Sequence, residues 1–307
     1  MNGRNFKFIG ILIIACLTVF YSCGSNDKIG PTDTRDSGTI HISVDESYKP
    51  VIDSEIQVFE SLNPGTKIIA HYKPEAECLK DFAVDSIRMV IATRGFSKRE
   101  EAYMNDSLNV VVSKMVVAYD AVAVIVNPSS PDSLFTMQEI RDLLTGKSTK
   151  GLIPVFDGTK ATSTVRFVMD SVLRDESLSP NVTAAQTSQG VIEYVARTPK
   201  AVGFLGVSWV GNRQDSTQLS FLNTVKVAGI EHPYIPGKYV TPAQFNIYYR
   251  RYPMVRDLVF TLKEKHIGLG HGFSNFLTTQ SGQLIFNRAF LMPAVMRFAI
   301  RDATLTE

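Results

Sequence analysis

Cysteine is scarce: the 307 residues hold three. Cys16 and Cys23 sit in or beside an apolar leader, which leaves Cys78 alone for the folded chain. One thiol closes no internal disulfide and builds no thiolate metal cluster, so Cys78 reads as a small buried hydrophobe. Charge of one sign is also lacking. The net charge is +2, with no basic run and no stripe of aromatic and basic residues, which excludes a nucleic-acid-binding protein. His41 lies in a strand pattern, and His232, His266 and His271 have no ligand spacing with carboxylates or cysteine, so no metal site is expected. No Gly-x-Ser-x-Gly elbow presents a nucleophile, which argues against an enzyme. Internal repeats and low-complexity tracts are absent as well.

What is there begins with the leader. Arg4 and Lys7 precede an apolar run over residues 8–20, and Ser22-Cys23-Gly24 follows. A basic start, a short apolar core and a small residue before the cut read as an export signal. The run is short for a spanning helix and has no basic stop behind it. The small residue directly before Cys23 resembles a bacterial lipoprotein signal, in which that cysteine becomes the lipidated first residue. Residues 1–22 are therefore expected to be removed. Residues 23–37, rich in Ser, Asn, Asp, Thr, Gly and Pro, are expected to be a flexible tether.

The full 307-residue chain is 44% hydrophobic and 20% charged, enough for one large or two modest cores. Residues 39–44 alternate with period 2 and predict a strand. A helix follows from Pro50, with Ile52, Ile56 and Phe59 on one face. Strands are predicted at 67–70, 89–92, 116–126, 152–156 and 201–207. Helices are predicted at 98–103 and 137–144, after Thr162 and Gln189, and at 253–265 and 273–286. Alternating strands and helices predict a mainly parallel sheet covered on both faces, with ligands beyond the carboxyl ends of the strands. The loops at Ser47, Glu75 and Arg94 fall at such ends. So does the stretch from Asp157 to Ser163, a polar loop whose Thr162 or Ser163 can cap the next helix. Hydroxyls and free N–H groups at a helix start suit an anion.

The run Tyr119-Asp120-Ala121-Val122-Ala123-Val124-Ile125-Val126-Asn127-Pro128, followed by Phe135-Thr136, Glu139-Ile140 and Leu143-Leu144-Thr145-Gly146-Lys147, resembles the phosphate-binding proteins of bacterial ABC importers. Gln189-Gly190-Val191, Ala201-Val202-Gly203-Phe204, Phe273-Ser274-Asn275-Phe276-Leu277 and Ser281-Gly282-Gln283 also fit that family. The resemblance implies a two-lobed α/β fold of the type II periplasmic-binding-protein class, each lobe a mainly parallel sheet flanked by helices. Lobe one would be residues 38–115 plus 230–307, and lobe two residues 116–229. It implies a lipid-anchored monomer on the outer or periplasmic side of a membrane, without cofactor or catalysis, passing phosphate or a related oxyanion to ABC permease subunits.

The ligand set implied by the resemblance is Ser47, Tyr48, Arg94, Asp157, Thr162, Ser163 and Thr164. Two features depart from the family. Arg94 stands where an aspartate is usual and Asp157 where an arginine is usual, as though the two charges were exchanged. The second loop reads Lys73-Pro74-Glu75-Ala76-Glu77 where a Gly/Ser-rich cradle is usual, and two carboxylates there would repel an anion. That acidic loop keeps an alternative open: a cell-surface interaction or sensor protein on the same scaffold.

Overall fold

The computed structural model describes residues 33–108, 112–158, 162–211 and 221–295. Cys23 and the leader lie outside the described residues. Among those described, no helix is long and apolar enough to cross a membrane.

The chain opens with strand β1 (Ser37–Asp45), a single helical turn (Glu46–Tyr48) and helix α1 (Lys49–Leu62). Pro50 sits in the first turn of α1, where its missing N–H costs nothing, and Ile52, Ile56 and Phe59 are buried as their spacing predicts. Then come β2 (Gly65–Lys73), α2 (Glu75–Asp81), β3 (Ile87–Ala92), α3 (Lys98–Leu108) and the long strand β4 (Val112–Val126). The second part runs β5 (Leu134–Phe135), α4 (Met137–Thr145), β6 (Ile153–Phe156), α5 (Ser163–Phe167), β7 (Thr183–Ala184), α6 (Ser188–Arg197) and β8 (Ala201–Gly206). Helix α4 carries both ends of its sequence signature. Thr136 and Glu139 form a capping box, and Gly146 closes the helix at φ 80°, a conformation glycine adopts without strain. Last come β9 (Lys226–Val227), β10 (Gly229–Glu231), β11 (Tyr239–Val240), α7 (Gln244–Tyr248), β12 (Val255–Lys263), α8 (Leu269–Thr278), α9 (Gln280–Arg288) and β13 (Met292–Pro293).

The main sheet runs β2-β1-β3-β12-β4-β8-β6-β7. Strands β1, β2 and β3 are parallel, as are β6, β7 and β8, so each half has the predicted parallel core. β4 joins the halves. Its residues from Val112 to Ala121 pair with β12, and Val122 to Val126 pair with β8. The expected two-lobed α/β fold is thus present, and one strand is common to both lobes. Val117, Ala118 and every residue from Asp120 to Val126 are fully buried, which accounts for the long apolar run in the sequence.

Three expectations change. Residues 33–37, expected to belong to a flexible tether, are held in the fold: Asp33 is buried, accepts the Leu269 N–H (2.8 Å) and pairs with Arg88, and Ser37 begins β1. Residues 253–265 are not a helix but mostly β12, antiparallel to both β3 and β4. Val255, Leu258, Val259 and Leu262 fall at helical spacing, yet in a central strand covered on both faces apolar residues can occupy either face and need not alternate. The return of the chain also comes later than residue 230. β10 pairs with β5 and β11, and the chain rejoins the first lobe's sheet only at β12.

Candidate oxyanion site between the lobes

The carboxyl ends of β1, β6 and β8 and the start of β12 bring one set of polar groups together where the two halves of the sheet meet. Asp45, the last residue of β1, accepts the Ser47 N–H (3.1 Å) and so shapes the turn that aims Ser47 across the cleft. Ser47 Oγ lies 3.2 Å from Ser163 Oγ, the first residue of α5. Thr162 caps α5 by accepting the Val165 N–H at 3.3 Å. Arg256, from β12, donates through Nη1 to Ser163 Oγ (3.1 Å) and Thr164 Oγ1 (3.4 Å), and through Nε to Asp120 Oδ2 (2.7 Å). Tyr48 donates its hydroxyl to the same Asp120 oxygen at 3.1 Å, with its ring 5.5 Å from the Arg256 guanidinium. From the turn after β8, Ser208 Oγ and Trp209 Nε1 both donate to the Ser47 carbonyl (3.1 and 2.9 Å). All of these groups are buried.

Burial biases the carboxyls here toward the protonated form. Removal from water, reinforced by nearby Glu75 and opposed by Arg256, pushes the Asp45 carboxyl up to about 7. Asp157 is raised by burial despite Arg256, and Glu46 by burial and then by Asp157. Ser188, the first residue of α6, donates to Asp157 Oδ2 (3.1 Å) and to Glu46 Oε2 (3.2 Å). A protonated carboxyl donates a hydrogen bond rather than repelling an anion. For Arg256, burial is outweighed by Tyr48, Asp120 and Asp45, and the guanidinium stays charged. Among the described residues, Arg256 Nη2, Asp45 Oδ2, Asp120 Oδ1 and Asp157 Oδ1 have no hydrogen-bond partner.

A second constellation lies beside the first. The Glu75 carboxylate accepts the Thr93 N–H (3.0 Å), the Thr93 hydroxyl and the Nε of Arg166, with Arg166 Nη2 at 3.4 Å. Glu75 begins α2 in one lobe and Arg166 belongs to α5 in the other, so the pair is a latch across the cleft. The carboxylate of the acidic second loop takes donors that an anion would otherwise use. Glu75→Gln keeps the shape and removes the charge. It is expected to lower stability by about 1–3 kcal/mol, less than for a wholly dry pair because the Arg166 side chain is 31% exposed. Urea unfolding of the two forms measures this, and an unchanged midpoint would mean that water already screens the pair.

Of the residues singled out from the sequence, Ser47, Tyr48, Asp157, Thr162, Ser163 and Thr164 meet at this junction, Thr162 as a cap. Arg94 does not join them. It pairs with Glu100 on α3 (3.0 Å), so it neither faces Asp157 nor takes over the charge exchange. The guanidinium at the junction is that of Arg256, which the sequence reading placed in a helix. Asp45, Asp120, Ser188, Ser208 and Trp209 were also missed. An arginine inside an apolar β-branched stretch, and an aspartate inside another, were the available signals: buried charges of opposite sign call for a partner.

A profile of the PBP superfamily domain matches residues 30–281. The chain belongs to the PBP superfamily. The PBP fold seen here is that of phosphate ABC-transporter substrate-binding proteins. A putative phosphate ABC transporter substrate-binding protein from Clostridium perfringens, solved with bound phosphate, superposes with a TM-score of 0.71 at 20% identity, over 84% of this chain and 100% of that one. An ABC-type phosphate transport receptor from Vibrio cholerae gives 0.62 at 15% identity, over 82% and 99%. A possible phosphate binding protein from Planctomyces limnophilus gives 0.56 at 18%, over 84% and 93%. At these identities the likeness is one of fold. No curated protein matches the sequence significantly.

Proposed function

We propose that this PBP-family chain is the solute-binding component of an ABC importer, holding phosphate or a related oxyanion between its lobes. In this reading it is a monomer, anchored by a lipid on Cys23 and facing the periplasm or the exterior, and it hands its ligand to permease subunits. The observation that carries the reading is the meeting of Ser47, Ser163 and Thr164 hydroxyls with the buried Arg256 guanidinium, which keeps Nη2 unpartnered among the described residues. Three hydroxyls and one planar cation suit a tetrahedral oxyanion. Closure of the two lobes around the anion would be the transport-competent state, favoured by contacts made only when both lobes touch it.

Isothermal titration of the purified protein tests this. Phosphate is expected to give a saturable heat and a neutral sugar none. Phosphate at 100 times its dissociation constant is expected to stabilise the fold by about 2.7 kcal/mol. The absence of heat with phosphate, sulfate, molybdate and phosphonates alike would favour the second reading, an interaction or sensor protein on the same scaffold. The Glu75–Arg166 latch favours that reading, because it supplies an internal anion and an interlobe contact without any solute.

A further inference from the structure

A groove of about 990 Å³ runs between α2 and α3 of one lobe and α5 with the helical turn after it in the other. None of Ser47, Ser163, Thr164 and Arg256 lines it. Its walls are mainly apolar: Leu79, Phe96, Tyr103 and Met104 face Val165 and Met169. The volume is that of a site for an organic molecule of tens of atoms, far beyond a five-atom oxyanion. Tyr103 is 63% exposed, beside Met104, which is almost fully covered. An aromatic ring left in water at the mouth of an apolar groove gains most from a bound apolar body.

The charges along the groove set the sign of the ligand. Its lining holds four cations, Lys80, Arg94, Arg99 and Arg166, against three carboxylates, Glu75, Glu100 and Asp170. Every carboxylate is engaged: Glu75 and Asp170 by Arg166, and Glu100 by Arg94. Lys80 and Arg99, both exposed, have no carboxylate partner among the described residues. An amine entering the groove would find no available anion, whereas a carboxylate or phosphonate would find two available cations. We propose that this groove is a second ligand site, for an organic anion with an apolar body, at a place separate from the oxyanion site.

Isothermal titration with octanoate, acetate and octylammonium tests the proposal on the purified protein. Octanoate is expected to bind saturably and at least about tenfold more tightly than acetate, since each buried methylene favours the longer chain. Octylammonium, with the same body and the opposite charge, is expected to bind at least about tenfold more weakly than octanoate. The double variant Lys80→Glu/Arg99→Glu changes only exposed side chains. It is expected to weaken octanoate about tenfold or more while leaving the circular dichroism spectrum and the phosphate titration as in the parent. Tyr103→Ala is expected to weaken octanoate severalfold. Saturating phosphate is expected not to displace octanoate. Equal binding of octanoate and acetate, equal binding of octanoate and octylammonium, an unaltered octanoate affinity in the double variant, or displacement by phosphate would each overturn the proposal.

Discussion

Arg256→Met is expected to destabilise the protein by about 3–5 kcal/mol. Arg256 and Asp120 are both buried, with side chains 2% and 0% exposed, and Nε sits 2.7 Å from Oδ2. Truncating the cation leaves the Asp120 carboxylate dry with only the Tyr48 hydroxyl for a partner, and an uncompensated buried charge is among the costliest defects a core can hold. The companion variant Asp120→Leu/Arg256→Met removes both charges, and most of the lost stability is expected to return. Urea midpoints at constant m-value measure the three proteins. A loss below about 1 kcal/mol for the single variant would mean that solvent reaches the pair. Phosphate binding is expected to vanish in both variants, since in the proposed site Arg256 is the cation.

Stability is expected to fall as pH rises from about 4 to 7, and Asp45 is the main cause. Its folded-state value, about 7, lies above the ordinary aspartate value of 3.8, so between the two the folded chain holds a proton that the unfolded chain has lost. The stabilising contribution is therefore complete below the lower value and is lost as pH passes through the upper one. Its loss is expected to cost on the order of a few kcal/mol across that window. Glu55, buried on α1 and raised to about 9 by the loss of water, acts with the same sign and extends the decline to higher pH. Asp45→Asn carries no titrating proton. Unfolding free energies at pH 5, 6, 7 and 8 are expected to show a visibly shallower slope for this variant than for the parent. Parallel slopes would mean that Asp45 titrates normally in the folded chain.

The sequence was most legible where a local signal and the tertiary environment agree. Thr136, Glu139 and Gly146 mark both ends of α4, and Pro50 marks the start of α1, because caps are satisfied within one turn of chain. The alternation of β1 and the buried run of β4 likewise follow from faces that the fold covers. Strand β12 was illegible for a related reason. With both faces covered, its apolar positions fit the helical template as well as any other, and the partners that decide the matter, β3 and β4, lie far away in the chain. The site inherits that difficulty. Ser47, Ser163 and Thr164 were found because they stand beside the ends of elements with local signatures. Arg256 was lost with its strand, and the Glu75–Arg166 latch joins residues 91 positions apart that no local pattern connects.

β4 has a bearing on how this protein comes apart. A lobe that shared nothing with its neighbour could melt alone and leave the other standing. Here Val112 to Ala121 complete one half of the sheet and Val122 to Val126 complete the other, on one uninterrupted backbone. Losing either half strips hydrogen-bond partners from the strand at the centre of the other and opens its most deeply covered residues to water. The two lobes are therefore bound into a single cooperative unit, able to pivot about their common strand while intact yet unable to unfold one at a time.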